Sequence, residues 1–140
     1  VTPEVEDDEN EAIEVVTPAT YYLKNGKHYI VYEEVVEGTS GVIKNRIKIN
    51  GDECVEIVKS GLSNSHMIFE KNKKNQTFYK TPYGQMLIGV NTRHLQVDFE
   101  EDKIAVQIDY ELDVNHEPMA DCKIRMNIVS KDSGKFSVLS

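Results

Sequence analysis

Strict alternation of apolar and polar residues over residues 104–114 constrains the fold of this chain more than any other feature. Every second position is apolar, and the apolar set consists of Ile104, Val106, Ile108, Tyr110, Leu112 and Val114. A period of two puts these residues on one face of a β-strand, whereas a helix needs a period near 3.6. We therefore predict a strand whose apolar face lines the interior, with Asp109 and Glu111 on the opposite face in solvent.

The rest of the chain shows the same signals of strands joined by tight turns. The stretch "CKIRMNIV" at 122–129 repeats the alternation, and the Asn-Gly pairs at 25–26 and 50–51 favour hairpin turns because both residues tolerate positive φ. No segment has apolar residues at helical spacing over the length of a helix. These signals predict an all-β fold, a closed or nearly closed antiparallel β-barrel of about eight to ten strands with little or no helix, because closure removes exposed strand edges.

Length and charge limit the organisation of the chain and its partners. The 140 residues suffice for one domain, and we predict a poorly ordered acidic segment at 1–11 followed by a single β-barrel domain at 12–140. The net charge of −8 opposes nucleic acid and acidic membrane surfaces, which are bound by clustered Lys and Arg. No apolar run approaches the roughly 18 residues of a membrane-spanning helix. We therefore expect no nucleic acid and no membrane as partners.

The two cysteines, Cys54 and Cys122, lie far apart in the sequence. Two thiols in a chain of this size are compatible with a reducing compartment, where free cysteine packs as a small apolar residue. We predict that they are not bridged, and we favour a cytoplasmic location.

The usual sequence signatures of catalysis and of cofactor binding are missing. The histidines at positions 28, 66, 94 and 116 show neither H-x-x-x-H nor C-x-x-C spacing, and the acidic segment lacks the pattern of a calcium loop. The serines near His66 lack a G-x-S-x-G elbow, and no glycine-rich phosphate loop occurs. We therefore predict no metal site, no cofactor and no set of catalytic residues.

The stretch "TPYG" at 81–84 predicts a bend between two strands. Pro82 suits the second position of a type I or type II turn, and Gly84 suits the last. If the barrel has a usable interior, Tyr83 would frame its mouth as an aromatic turn residue.

A carboxylate interrupts an otherwise apolar strand face in "YIVYEEVVEG", residues 29–38. The face that holds Ile30 and Tyr32 also holds Glu34, and a buried carboxylate is costly unless it is paired. Either the strand lies near a rim where both faces reach water, or Glu34 is an inward polar group with Arg93 as its predicted partner. Such a pair could orient the head group of a ligand, or it could be a structural ion pair with nothing bound. The candidate ligand-binding residues are Tyr32, Glu34, Tyr83, Arg93 and Tyr110.

The order of these segments resembles the YwiB-like family of uncharacterised bacterial proteins. The resemblance runs from about residue 13 to residue 128 and rests on "KHYIVYEE", "RIKI", "SGLSNSHMIFE", "TPYGQMLIGVNT" and "IAVQIDYEL" in this order. It implies a closed, calycin-like (lipocalin-like) β-barrel of about eight strands or more, and it implies no established activity. It also implies an additional opening strand, and we expect "KFSVL" at 135–139 to pair as a terminal strand in its place.

Three classes of function follow from this architecture. Binding of a small apolar or amphipathic molecule in the barrel interior is favoured, because barrels of about eight strands can enclose one ligand. The alternative is a regulatory or structural protein-interaction module with a filled core and no ligand. An enzyme that uses Glu33 or Glu34 as acid or base ranks last. An apolar cavity with a few polar groups would favour ligand binding, and a filled interior would favour the interaction module.

Overall fold

The computed structural model describes residues 2–6, 12–14, 16–35, 38, 40–61 and 64–130, which form strands and turns without a helix. The predicted all-β class is therefore confirmed. The strands are β1 (Thr2–Glu6), β2 (Ala12–Glu14), β3 (Thr20–Lys24), β4 (Lys27–Val35), β5 (Val42–Asn50), β6 (Cys54–Gly61), β7 (Ser65–Glu70), β8 (Lys74–Thr81), β9 (Gly84–Phe99), β10 (Lys103–Val114) and β11 (Glu117–Val129). The first sheet has the order β2-β1-β11-β10-β9-β8, and the second sheet has the order β3-β4-β5-β6-β7.

Within the described residues the two sheets do not join into a closed barrel. β7 and β8 follow each other in the chain but are edge strands of different sheets, and the same holds for β2 and β3. The prediction of a closed or nearly closed barrel is wrong in this respect. The chain turns at 71–73, where the Lys73 N–H bonds to the Glu70 carbonyl and the Thr92 N–H bonds to the Lys73 carbonyl, both at 3.0 Å. After this turn β8 pairs with β9 in the first sheet instead of forming a hairpin with β7. The sequence shows only that a turn is present, not whether the two strands it joins pair with each other.

The core lies between the sheets and is filled by the apolar faces of the alternating strands. Ile104, Val106, Ile108 and Tyr110 are 0–8% exposed, as predicted for the first part of β10. They pack in one cluster with Ile30, Ile47, Ile49, Val55, Phe69, Val90, Leu95, Val97, Ile124, Met126 and Ile128. The rings of Phe69 and Tyr110 meet edge to face, with centroids 4.9 Å apart, and so join the second sheet to the first.

The alternation predicted for β10 breaks down at its end. A bulge between Leu112 and Asp113 shifts the pairing with β11, Leu112 and Val114 are only partly buried, and Asp113 is buried. Asp109 and Glu111 lie on the outer face as predicted, but they are only partly in solvent. Salt bridges to arginines of the neighbouring strands cover them, because opposite charges on adjacent strands lie within contact distance.

Hairpin turns occur at both predicted Asn-Gly pairs, but only the first is a tight two-residue turn. Residues 25–26 have φ of 53° and 76°, as a two-residue type I′ turn requires. At the second pair the loop is longer, since Asn50 pairs with Cys54, and only Gly51 of this pair has positive φ. Residues 115–116 form a further two-residue turn with φ of 51° and 71°. The sequence did not reveal it because histidine occupies the place where glycine is usual.

The remaining structural predictions have mixed outcomes. The two cysteines are free, as predicted. Residues 2–6 form strand β1, which pairs with β11, since backbone pairing at a sheet edge needs no apolar side chains. The division into 1–11 and 12–140 stays a prediction, and the predicted strand at 135–139 lies outside the described residues. In the described part of the chain, no helix is long and apolar enough to cross a membrane.

Candidate functional site

The structure does not bring the five candidate ligand-binding residues together. Tyr32 and Glu34 are neighbours on the inner face of β4, whereas Tyr110 lies in the core of the first sheet. Thr81 pairs with Gly84, so "TPYG" is a turn with two loop residues, as predicted. Tyr83 is 99% exposed at the tip of this turn. Tyr83 therefore frames a hairpin tip rather than the mouth of an interior cavity.

The predicted ion pair between Glu34 and Arg93 is wrong. Arg93 lies on the outer face of the first sheet because the buried Thr92 beside it takes the inward position. Its guanidinium donates a hydrogen bond to the Glu111 carboxylate at 2.7 Å and lies 3.6 Å from Asp121. Arg93 thus belongs to an outer charge network and cannot reach Glu34.

Glu34 finds its partners on the neighbouring strands of the second sheet. Asn45 Nδ2 donates a hydrogen bond to Glu34 Oε1 at 2.6 Å, and Lys59 Nζ donates to the same oxygen at 3.1 Å. Burial raises the pKa of Glu34, but the hydrogen bonds from Asn45 and Lys59 and the Lys59 charge outweigh it, so the pKa lies below its ordinary value. Burial and the Glu34 charge raise the pKa of Tyr32 to about 12. We refer to Tyr32, Glu34, Asn45 and Lys59 as the inner polar cluster.

Sequence reasoning missed Asn45 and Lys59. Asn45 is fully buried, and its Oδ1 has no hydrogen-bond partner among the described residues. Its position could have been found, because Asn45 is in phase with Ile47 and Ile49 and so faces inward with them. The position of Lys59 in the cluster follows from the strand register, since Lys59 pairs with Asn45 and Asn45 pairs with Tyr32. Such cross-strand partners depend on pairing that a single strand does not disclose.

An open cleft runs along the seam between β7 and β8, and we call it the seam cleft. Its wide end has a volume of about 690 Å³ and its narrow end about 130 Å³, and His66 and Thr77 border both. The wide end is lined by Val58, Lys59, Ser60, Asn64, Ser65, Phe78, Tyr79, Pro82 and Gln85. The narrow end is lined by Met67, Ile68, Asn75, Gln76 and Val90. Because Lys59 lines the wide end, the cleft reaches the inner polar cluster.

The walls of the seam cleft differ in chemistry. On the side of β8 the lining residues include two aromatic ones, Phe78, which is 68% exposed, and Tyr79, which point to opposite faces of the strand. On the opposite side Lys59 carries a positive charge, and the His66 ring contacts the Glu56 carboxylate. The cleft can therefore accept apolar groups on one side and polar or anionic groups on the other.

One known domain family covers most of this chain. The sequence profile of a domain family of unknown function, DUF1934, matches residues 1–126. This chain is a member of the DUF1934 family. A relative in Bacillus subtilis (strain 168), the uncharacterized beta-barrel protein YwiB, is 32% identical over 114 residues, which are 81% of this chain and 78% of that protein. The predicted resemblance to the YwiB-like proteins is thus confirmed.

A crystal structure of the ywiB protein from Bacillus subtilis has the same fold as this DUF1934 member. The two structures superimpose with a TM-score of 0.70 at 25% sequence identity, over 93% of this chain and 88% of the other. YwiB is described as a beta-barrel protein. In the described part of this chain, the two sheets separate at the seam between β7 and β8.

Glu34→Gln is expected to flatten the dependence of stability on pH in the acid range. The folded pKa of Glu34 lies below the ordinary 4.5, so its contribution is fully present above pH 4.5 and is lost as pH falls through the lowered folded value. The loss caused by the substitution should therefore be largest near neutral pH and shrink in acid. Urea unfolding of the variant and the wild type at a series of pH values measures this loss of stability. Glu33→Gln, on the opposite face of the same strand, is the matched control, and a loss that is independent of pH would contradict the prediction.

Proposed function

We propose that this DUF1934 member is a protein-interaction module that accepts an extended peptide segment in the seam cleft. The observation that carries the proposal is the position of β7 and β8, which follow each other in the chain but end different sheets. Each strand therefore directs the backbone N–H and C=O groups of its free edge toward the cleft. Edges of this kind bind extended segments by strand addition.

The dimensions of the seam cleft suit a short extended segment. The cleft is bordered by 65–68 of β7 and by 75–79 of β8. At about 3.3 Å per residue these borders are roughly 13 Å and 16 Å long. A segment of about four or five residues would span them. Its insertion would join the two sheets at this seam, while β2 and β3 would still end different sheets.

The narrow end of the cleft offers a polar group that a peptide backbone could satisfy. Asn75 Nδ2 is buried and has no hydrogen-bond partner among the described residues, although Asn75 lines the cleft. Buried donors are nearly always paired in proteins, and a peptide carbonyl would supply the acceptor. Beside it, Met67 and Val90 would receive an apolar side chain.

The filled interior favours the function of an interaction module and disfavours the binding of a ligand between the sheets. The space between the sheets is occupied by the apolar cluster, and members of that cluster such as Ile30, Phe69 and Ile108 are fully buried. A ligand inside the barrel would have to displace these side chains at the full cost of disrupting the core.

Selection of displayed random peptides against the full chain tests the proposal. We expect binders whose affinity falls when alternate backbone amides are N-methylated, since strand addition uses every second N–H of the segment. Amide exchange in β7 and β8 should slow when such a peptide is bound. Thr77→Trp should block binding by filling the cleft, and Thr20→Trp on the exposed edge strand β3 is the matched control. Binders that tolerate N-methylation, or that bind the Thr77→Trp variant equally well, would overturn the proposal.

A small amphipathic molecule at the wide end of the seam cleft is the second candidate. It is favoured by the lining of the wide end, where the exposed ring of Phe78 would receive an apolar body and Lys59, whose ammonium also binds Glu34, would contact a polar head. The fluorescence of anilinonaphthalene sulfonate should then rise on binding, and Phe78→Ser and Lys59→Gln should each reduce the rise. If the rise is the same in both variants and the wild type, this candidate is wrong.

A further inference from the structure

The outer face of the second sheet carries a basic surface that lies apart from the seam cleft. On β5, the buried residues alternate with three cationic residues, Lys44, Arg46 and Lys48, which therefore all face outward. Lys24 and Lys27, beside the turn between β3 and β4, face the same way. We call these five residues the basic face. The acidic residues beside them are Glu33, which pairs in register with Lys44, and Glu56 of β6, which pairs with Lys48. In the described part of these strands the surface therefore carries five basic residues against two acidic residues.

The net charge of the chain does not describe this surface. Seven of the 24 acidic residues and none of the 16 basic residues lie within residues 1–14, so the remaining 126 residues are close to neutral, with a net charge of −1. At physiological ionic strength the field of distant charges is screened within about 8 Å. A polyanion at the basic face would therefore meet the local cations rather than the average charge of −8.

Two aromatic rings adjoin these cations. Tyr22 and Tyr29 stack with centroids 4.9 Å apart and an interplanar angle of 8°. Tyr29 pairs in register with Tyr22 on one side and with Lys48 on the other, so the rings and the cation form one row across the sheet. Tyr22 is 40% exposed and lies on the edge strand β3, and Tyr29 stacks on one side of its ring. A further flat ring can therefore approach the face of the Tyr22 ring that points away from Tyr29.

The cations continue along β5 at a regular interval. Lys44, Arg46 and Lys48 occupy every second position, which separates successive Cα atoms by about 6.7 Å. On the β6 side the surface ends at Glu56, whose carboxylate lies 3.7 Å from Lys48 Nζ. The result is a line of positive charge that ends beside an aromatic pair.

We propose that the basic face binds single-stranded nucleic acid. Lys44, Arg46 and Lys48 would contact successive phosphates, and a base would stack on the open side of the Tyr22 ring. A line of cations with an aromatic platform is the combination that binds single strands with little dependence on sequence. An acidic peptide would use the cations but would leave the stacked tyrosines without a role, and for this reason we favour the nucleic acid. The proposal stands independently of the seam cleft.

Fluorescence anisotropy of a labelled single-stranded oligonucleotide of mixed sequence, titrated with the full chain, tests the phosphate contacts. We expect affinity to fall with salt at a slope of about −0.7 for each neutralised phosphate, or about −2 for three. The triple variant Lys44→Gln, Arg46→Gln, Lys48→Gln should weaken binding at least about tenfold in moderate salt and remove most of that slope. The matched control with the same change of charge elsewhere is Lys73→Gln, Lys103→Gln, Lys123→Gln. If both triple variants bind like the wild type, the proposal is wrong.

The stacking contact has its own test. Tyr22→Ala should lower the affinity about tenfold without changing the salt slope, whereas Tyr22→Phe should keep the wild-type affinity. Thermal unfolding of each variant checks that the fold is retained. Equal affinity of Tyr22→Ala and the wild type would overturn the proposal. So would binding of poly-glutamate without binding of the oligonucleotide, because the surface would then be one for acidic protein segments.

Discussion

Replacing Phe69 by alanine is expected to lower the free energy of unfolding by about 3–5 kcal/mol. Phe69 is fully buried, and its ring contacts Tyr110 of the opposite sheet with centroids 4.9 Å apart. The loss has two parts, the transfer of the ring out of an apolar environment and the cavity left between two sheets that hydrogen bonds hold in shape. Since domains of this size are stable by about 5–15 kcal/mol, the substitution removes a large share of the total.

Phe78→Ala is the matched control because it makes the same chemical change at a ring that is 68% exposed. Its effect should stay within about 0.5 kcal/mol, as is usual for exposed positions. Urea unfolding followed by far-ultraviolet circular dichroism measures both variants. Equal losses at the two positions would contradict the packing described here, because they would mean that Phe69 is not the ring that joins the sheets.

The outcome for β10 explains how far the sequence could predict the fold. Ile104, Val106 and Ile108 were placed correctly because alternation along one strand is a local property of the backbone. Two bulges then shift the register of β10, between Asp109 and Tyr110 against β9 and between Leu112 and Asp113 against β11. The extra residues of these bulges are Arg93 of β9 and Met119 of β11, so the sequence of β10 carries no sign of them. The burial of Asp113 could not be predicted either, because it depends on Lys74 of β8, which only the order of strands in the sheet brings beside it.

In the candidate site, too, the sequence predicted the direction of a side chain but not its partner on another strand. The inward direction of Glu34 was predicted from its place in β4, and the structure places it next to Tyr32, as alternation requires. Its partner was predicted wrongly, because the choice among cations requires the order of strands in the sheet. Lys59 is 25 residues from Glu34 in the chain, and it meets Glu34 because β5 lies between β4 and β6. The seam cleft was not predicted at all, since it exists only because β7 and β8 separate.

Lys74→Met is expected to lower the free energy of unfolding by about 2 kcal/mol. Asp113 is 4% exposed, and Lys74 Nζ lies 2.5 Å from its Oδ2 while its Oδ1 has no hydrogen-bond partner among the described residues. Removal of the amine would leave a buried carboxylate without its counter-charge, which costs about 3–5 kcal/mol for a fully buried pair. The Lys74 side chain is 41% exposed, so water replaces part of the lost interaction and the expected effect is smaller.

Because Gly89 has no side chain, the Lys74 side chain can pass over it to reach Asp113. A Cβ at this position would lie 3.1 Å from Lys74 Cε and 3.2 Å from Asp113 Cβ, closer than side chains normally approach. Gly89→Ala should therefore displace the lysine and reproduce part of the loss seen in Lys74→Met. The two substitutions together should cost less than the sum of their separate effects, because both act on the same ion pair.

The control is Lys73→Met, which makes the same change at the neighbouring lysine. The Lys73 side chain is 68% exposed and its amine lies 3.6 Å from the Glu70 carboxylate, so this exposed pair should contribute at most about 1 kcal/mol. In the double variant Lys74→Met, Asp113→Leu, the buried carboxylate is gone, and stability should recover toward that of the wild type because apolar replacements of a buried ion pair are often neutral. Urea unfolding of the wild type, Lys74→Met, Asp113→Leu and the double variant gives the coupling energy between Lys74 and Asp113. A loss in Lys74→Met no larger than that in Lys73→Met, with no recovery in the double variant, would show that Asp113 does not depend on the lysine.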